Sequence, residues 1–184
     1  MDYALTFITG NPAKAAQLSR HLAFPIQHKK LDLPEVQSLD LDEVVRYKAK
    51  EAYSVLRQPV LVEDTGLSFN AMGQLPGPLI KWFLKELGNA GLCTLLDNYS
   101  DRSAIAKVVC GIYDGKTMNL FSGEANGSIS SIPKGDEGFG WDPVFIPHGA
   151  TKTWGEMTPD EQNETSMRRI ALKKLEIFLN NLNT

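Results

Sequence analysis

Four stretches of the chain carry side chains whose types and spacing suit chemistry on a charged, ring-bearing small molecule. The first is Thr9-Gly10-Asn11-Pro12-Ala13-Lys14, directly after the apolar run Ala4-Leu5-Thr6-Phe7-Ile8. A strand that ends in a glycine turn and opens a helix presents unsatisfied backbone N–H groups to an anion, and the helix dipole adds positive charge at the same end. Lys14 falls in the first helical turn, where a cation is unfavourable unless an anion sits above it. The Gly-Lys-Ser/Thr ending of a Walker A loop is absent. A plain Asn-capped helix with a surface lysine is the competing reading.

The second stretch is Glu63-Asp64, at the end of the expected strand Pro59-Val60-Leu61-Val62 and before Thr65-Gly66. Desolvating a carboxylate is costly, so acids beside a buried strand want partners. Clustered carboxylates hold Mg²⁺ and position water against a phosphate. Glu35, after Asp32-Leu33-Pro34, is a further candidate from another loop, although alone it reads as a solvated acid. The third stretch is Gly138-Phe139-Gly140-Trp141-Asp142-Pro143-Val144-Phe145. Its rings either stack on a base, at about 1–3 kcal/mol each, or pack in the core between turn glycines. The fourth is Ser166-Met167-Arg168, where Arg168 is either a donor to a base or phosphate acceptor or a surface arginine.

These residues need elements to hold them. The apolar run before Thr9 predicts a buried strand, and Asn11-Pro12 predicts a helix start, with the helix running to about Ala23. Ile26 to Leu31 reads as a second strand and Asp42 to Leu56 as a helix, with Val44, Val45, Ala49, Ala52 and Tyr53 near three- and four-residue spacing. Leu79 to Leu87 reads as a helix stopped by Gly88, and Gly91 to Tyr99 as a shorter one. Ala104 to Tyr113, Asp114-Gly115 and Thr117 to Glu124 form a hairpin signal, which Asn126 to Ile132 extends. Thr158-Pro159-Asp160-Glu161 has capping-box form. A final helix has Ile170, Leu172, Leu175, Phe178, Leu179 and Leu182 on its apolar side. Such an order predicts a mixed α/β domain.

Bulk properties agree. A chain of 184 residues fits one domain, 1–184, with or without two lobes, and buries roughly 70% of its unfolded surface without a disulfide or structural metal. The net charge of −3 argues against a dedicated nucleic-acid binder. Cys93 and Cys110 lack metal-site or disulfide-framework spacing and read as buried thiols. No signal-peptide pattern or membrane-length apolar run is present, so the expected location is the cytoplasm, with no membrane partner.

Together the stretches resemble the inosine triphosphate pyrophosphatase family, in order and over almost the whole chain. The resemblance rests on Thr9-Gly10-Asn11 with Lys14; Asp32-Leu33-Pro34-Glu35; and Val60-Leu61-Val62-Glu63-Asp64-Thr65-Gly66-Leu67. It continues through Phe69-Asn70-Ala71, Leu75-Pro76-Gly77-Pro78 and Ile80-Lys81-Trp82-Phe83, and closes with Phe139-Gly140-Trp141-Asp142-Pro143 and Ser166/Arg168. It implies an elongated mixed β-sheet with flanking helices, two lobes around a central cleft, and a homodimer. It also implies Mg²⁺-dependent cleavage of ITP, dITP and XTP to the monophosphate and pyrophosphate.

By the same resemblance Thr9, Asn11, Lys14, Lys48, Thr65 and Lys81 bind the triphosphate, with Lys14 and Asp64 catalytic. Glu35 and Asp64 hold the metal. Phe139, Trp141, Asp142, Gln162, Met167 and Arg168 lie on the nucleoside side. The chain departs from the family pattern at Gln162, where lysine is usual, and at Met167, where histidine is usual. Both departures bear on the base, which leaves two other readings: a pyrophosphatase for another modified nucleotide, or a nucleotide-binding protein without turnover.

Overall fold

The structure, a computed structural model, describes residues 5–11, 14–15, 18, 22 and 26–182, the last of these without its side chain. Its strands are β1 (Leu5–Ile8), β2 (Ile26–Lys29), β3 (Val60–Phe69), β4 (Pro76–Gly77), β5 (Ser103–Tyr113), β6 (Met118–Ile129) and β7 (Phe145–Pro147). They form one mixed sheet in the order β2-β1-β3-β5-β6-β7, with β4 paired to β3. β1 is parallel to both β2 and β3, whereas β4 and β7 are antiparallel to their neighbours. The longer helices are α1 (Leu41–Leu56), α2 (Ile80–Thr94), α3 (Pro159–Thr165) and α4 (Met167–Leu182). Most of the helix expected up to Ala23 lies outside the described residues; Lys14, Ala15 and Leu18 are helical. None of the described helices is long and apolar enough to cross a membrane.

The chain divides into two compact units. The first holds residues 1–64, 108–123 and 170–184. Its core lays Leu41, Val45, Ala49 and Ala52 of α1 on Ile8, Val60, Val62 and Val109. Gly111 allows that approach, since a Cβ there would stand 2.6 Å from a Val45 methyl. Asp40 caps α1 by accepting from the Asp42 N–H at 2.9 Å. The helix ends where Arg57 turns left-handed (φ 54°) and its N–H returns to the Tyr53 carbonyl at 2.8 Å. From α4, Leu172, Leu175 and Leu179 are buried in this unit and Phe178 meets Phe121, ring centres 5.2 Å apart; Ile170, expected on the apolar side, is 45% exposed.

The second unit holds residues 65–107 and 124–169. Gly88, with φ 65° and ψ 179°, breaks α2 into the two helical pieces expected on either side of it, and the second ends at Thr94 rather than Tyr99. Arg102 braces the loop beyond, donating to the carbonyls of Cys93, Ile129 and Ser130 at 2.7–2.9 Å. Cys93, in this unit, and Cys110, in the first, are buried thiols outside any disulfide, as their spacing implies. The capping box at Thr158 is formed, with Glu161 accepting from the Thr158 N–H at 2.8 Å.

Candidate functional site

In the first unit the phosphate-type motif lies where two parallel strands stop pairing. The last register pair of β1 and β3 is Ile8–Val62, so Thr9 and Gly10 turn off at the level of Glu63 and Asp64. Crevices at the carboxyl ends of parallel strands are the usual ligand positions of open α/β sheets. The turn is ordered from within: the Asn11 N–H donates to Thr9 Oγ1 at 3.0 Å, and the Lys14 N–H to Asn11 Oδ1 at 3.4 Å. Asn11 thus caps the helix that the sequence places there.

The acids do not end a strand, as the sequence suggested. β3 continues through them to Phe69, because Leu67 and Phe69 keep the alternating apolar pattern and β4 pairs at Leu67 and Ser68. Being consecutive in a strand, Glu63 and Asp64 point to opposite faces. Glu63 is 4% exposed and its Oε1 lies 3.1 Å from Lys14 Nζ. Asp64 lies on the α1 face, its Oδ2 receiving a hydrogen bond from Lys48 Nζ at 3.2 Å. Lys14 and Lys48 therefore reach β3 from opposite faces at the place where β1 has ended. Glu35 is exposed on the segment after β2, whose Leu31 and Leu33 pack against the α1 cluster, the face that Asp64 occupies.

Among the described residues no three His, Cys, Asp or Glu side chains form a ready metal cluster. Mg²⁺ is characteristically held by one or two carboxylates together with substrate phosphates rather than by a protein cage. Glu35 and Asp64 supply oxygen donors of that kind.

In the second unit the aromatic loop divides between the two readings. Trp141 is 8% exposed and packs on Phe145 and Trp154, with ring centres 5.9 and 5.6 Å away. Phe139 is 37% exposed and carries the Arg168 guanidinium 5.5 Å from its ring centre. Arg168 is no surface arginine: it is 9% exposed. Asp142 Oδ2 accepts from the Phe139 N–H at 2.8 Å, and Gly138 (φ 77°) leaves room for it, since a Cβ there would fall 2.2 Å from that oxygen. Burial raises the Asp142 carboxyl to about 6, against the smaller opposing pull of the Phe139 N–H and of Arg168. Asn89 Nδ2, on α2, donates to the Gly140 carbonyl at 3.0 Å and steadies the loop.

The two departures from the family pattern are both turned inward. Gln162 Nε2 donates to the Trp154 carbonyl at 2.6 Å, and Met167 is buried. Lys81 is exposed in the first turn of α2, its ammonium 5.4 Å from the Trp82 ring centre, and Thr65 is half-buried on β3. His148 is exposed in a turn, its N–H bonded to the Asn126 carbonyl. Sequence reasoning gave His28 no role, yet its Nε2 lies 2.9 Å from the Thr9 carbonyl. Only the pairing of β2 beside β1 reveals that contact.

The family model described as the Ham1 family matches residues 5–178. Inosine triphosphate pyrophosphatase 2 of Trypanosoma cruzi (strain CL Brener) is 41% identical, over 95% of this chain and 91% of that one. Inosine triphosphate pyrophosphatase of Schizosaccharomyces pombe (strain 972 / ATCC 24843) is 40% identical, over 96% and 95% respectively. Among solved structures, a HAM1 protein from Coxiella burnetii superposes with a TM-score of 0.84 at 25% identity, covering 97% of this chain and 98% of that one. A nucleoside-triphosphatase / dITP/XTP pyrophosphatase from Mycobacterium abscessus gives 0.74 at 28%, covering 94% and 98%. By sequence along nearly its whole length, and by fold, this chain belongs to the Ham1 family.

Proposed function

We propose that this protein hydrolyses non-standard purine nucleoside triphosphates (ITP, dITP and XTP) to the monophosphate and pyrophosphate, removing them from the nucleotide pool. One observation carries the reading: two lysine–acid pairs, Lys14–Glu63 and Lys48–Asp64, meet the Thr9–Asn11 turn at the carboxyl end of β1, where its pairing with β3 stops. The names of the two eukaryotic relatives support the same activity.

In this reading Lys14, Lys48, Lys81 and the N–H groups of the turn bind the polyphosphate, with Thr9, Asn11 and Thr65 lining it. Glu35 and Asp64 hold Mg²⁺. When bound, the ion neutralises charge that grows on the phosphate oxygens. Asp64 also orients a water toward the α-phosphorus and takes its proton; the α–β anhydride bond breaks and pyrophosphate leaves. Phe139, Trp141 and Asp142 shape the nucleoside side. Arg168 donates to the oxygen at C6 of hypoxanthine or xanthine and leaves adenine, with a donor at that atom, mispaired. The same reading makes the protein a cytoplasmic homodimer, in keeping with its reduced buried thiols.

A panel of ITP, dITP, XTP, GTP and ATP, each with and without Mg²⁺, tests the proposal through pyrophosphate release. Expected is Mg²⁺-dependent pyrophosphate from the first three, at rates well above those for ATP. With Gln162 and Met167 in place of the usual lysine and histidine, preference among bases is expected to be shallower than in relatives that keep both. Release of orthophosphate, or tight nucleotide binding with no product, would overturn the activity. Turnover confined to some other modified nucleotide would move the substrate and keep the reaction.

A further inference from the structure

We infer that His28, a residue with no place in the motifs above, is a positioning residue that aims the Gly10 amide at the polyphosphate. The inference rests on the pyrophosphatase reading and adds a part to that site. Both backbone groups of Thr9 are tied to β2: its N–H donates to the Lys29 carbonyl at 3.1 Å, and its carbonyl lies 2.9 Å from His28 Nε2. A carbonyl can only accept, so Nε2 is the donor and carries hydrogen.

The consequence follows from peptide geometry. The Thr9–Gly10 bond is not among the cis bonds of the chain, and in a planar trans peptide the C=O and the next N–H point in opposite directions. β1 lies between β2 and β3. Turning the Thr9 carbonyl toward β2 therefore turns the Gly10 N–H away from β2, toward the side of β3, where Glu63 and Asp64 follow the last register pair, Ile8–Val62. His28 thereby fixes the direction of one N–H that the anion-binding turn has to offer.

Gly10 supplies an independent observation. Among the described residues, the nearest atoms to an added Cβ there would be those of the aliphatic stem of Lys30, at 3.7–3.9 Å, which is ordinary contact, and the backbone is not in the left-handed region. Among the described residues, none requires glycine at this position. Close approach of a ligand to the backbone supplies the reason.

The test uses the full-length protein, ITP with Mg²⁺, and three variants: His28→Ala, His28→Gln, whose side-chain amide can still donate, and Gly10→Ala. Losing one such hydrogen bond corresponds to about a fivefold change. His28→Ala is expected to raise KM about fivefold with kcat within twofold, and His28→Gln to restore most of the loss. Gly10→Ala is expected to raise KM without lowering Tm. Combined with His28→Ala it should add less than the product of the two effects, because both act on one amide. A wild-type KM in His28→Ala overturns the inference whether or not Tm falls, and so does equal impairment of His28→Ala and His28→Gln. An inactive wild-type protein on every triphosphate would instead sink the pyrophosphatase reading and this inference with it.

Discussion

Glu63 is a carboxylate 4% exposed whose charge is balanced by Lys14 at 3.1 Å, whereas Asp64, one residue on, has 21% of its side chain exposed beside Lys48. The contrast predicts two kinds of loss. Truncating Lys14 removes a counter-charge from a buried carboxylate, and breaking a buried pair in this way typically costs about 3–5 kcal/mol. Lys14→Met is therefore expected to lower Tm by roughly 10 °C for a chain of this size, as well as weakening triphosphate binding. Asp64→Asn keeps the shape and leaves Lys48 near solvent, so Tm should move by only a few degrees. Turnover, however, should fall on the order of a hundredfold or more if Asp64 handles the attacking water. Calorimetry beside pyrophosphate release separates the two. Wild-type-like turnover in Asp64→Asn would remove that residue from the mechanism, and an unchanged Tm in Lys14→Met would mean that Glu63 is balanced by something else.

The element that presents Lys48 is α1, and its start depends on Asp40, whose side chain accepts the Asp42 N–H. Losing an N-cap of this kind costs about 0.5–2 kcal/mol. Asp40→Ala should thus lower Tm by a few degrees while leaving kcat and KM near wild type at 25 °C, since Lys48 stands two turns further along. A large kcat loss at unchanged Tm would show that the cap does something other than hold the helix. Elements with local signals were legible in the sequence: α1 from its apolar spacing, the Thr158 capping box, the β5–β6 hairpin from Asp114-Gly115, and the break at Gly88. What remained hidden depended on partners distant in sequence. β3 reads as ending at Val62 until β4 pairs with it, and the three-residue β7 is a strand by its pairing with the far end of β6. Arg168 read alone as a surface residue because nothing adjacent announces the loop of Phe139 and Asp142 beside it. His28 carried no signal because its target, the Thr9 carbonyl, comes from a neighbouring parallel strand. The order of the motifs nominated the residues of the candidate site; the opposite faces of Glu63 and Asp64 became plain only once they were seen inside one strand.

At the scale of the whole molecule, the burial of Asp142 connects the proposed nucleoside side to the stability of the fold. Its carboxyl titrates near 6 in the folded protein against an ordinary value of 3.8, because desolvation outweighs the Phe139 N–H and Arg168. Below the ordinary value both folded and unfolded chains hold the proton, and Asp142 does not bias folding. As pH rises toward 6 the unfolded chain releases its proton first. The folded state then binds more protons, so its advantage shrinks until the folded carboxyl also ionises. Asp142 therefore withdraws stability between about pH 4 and 6, on the order of 3 kcal/mol in all, and the deficit persists at neutral pH. Asparagine keeps the acceptor for the Phe139 N–H and has no charge to desolvate. Asp142→Asn should accordingly match wild type near pH 4 and exceed its Tm by roughly 5–10 °C at pH 7.5. Parallel Tm–pH curves for the two proteins would show that the carboxyl is no harder to ionise in the fold than in water. A variant less stable than wild type at pH 7.5 would show that the pairing with Arg168 outweighs the cost of burial.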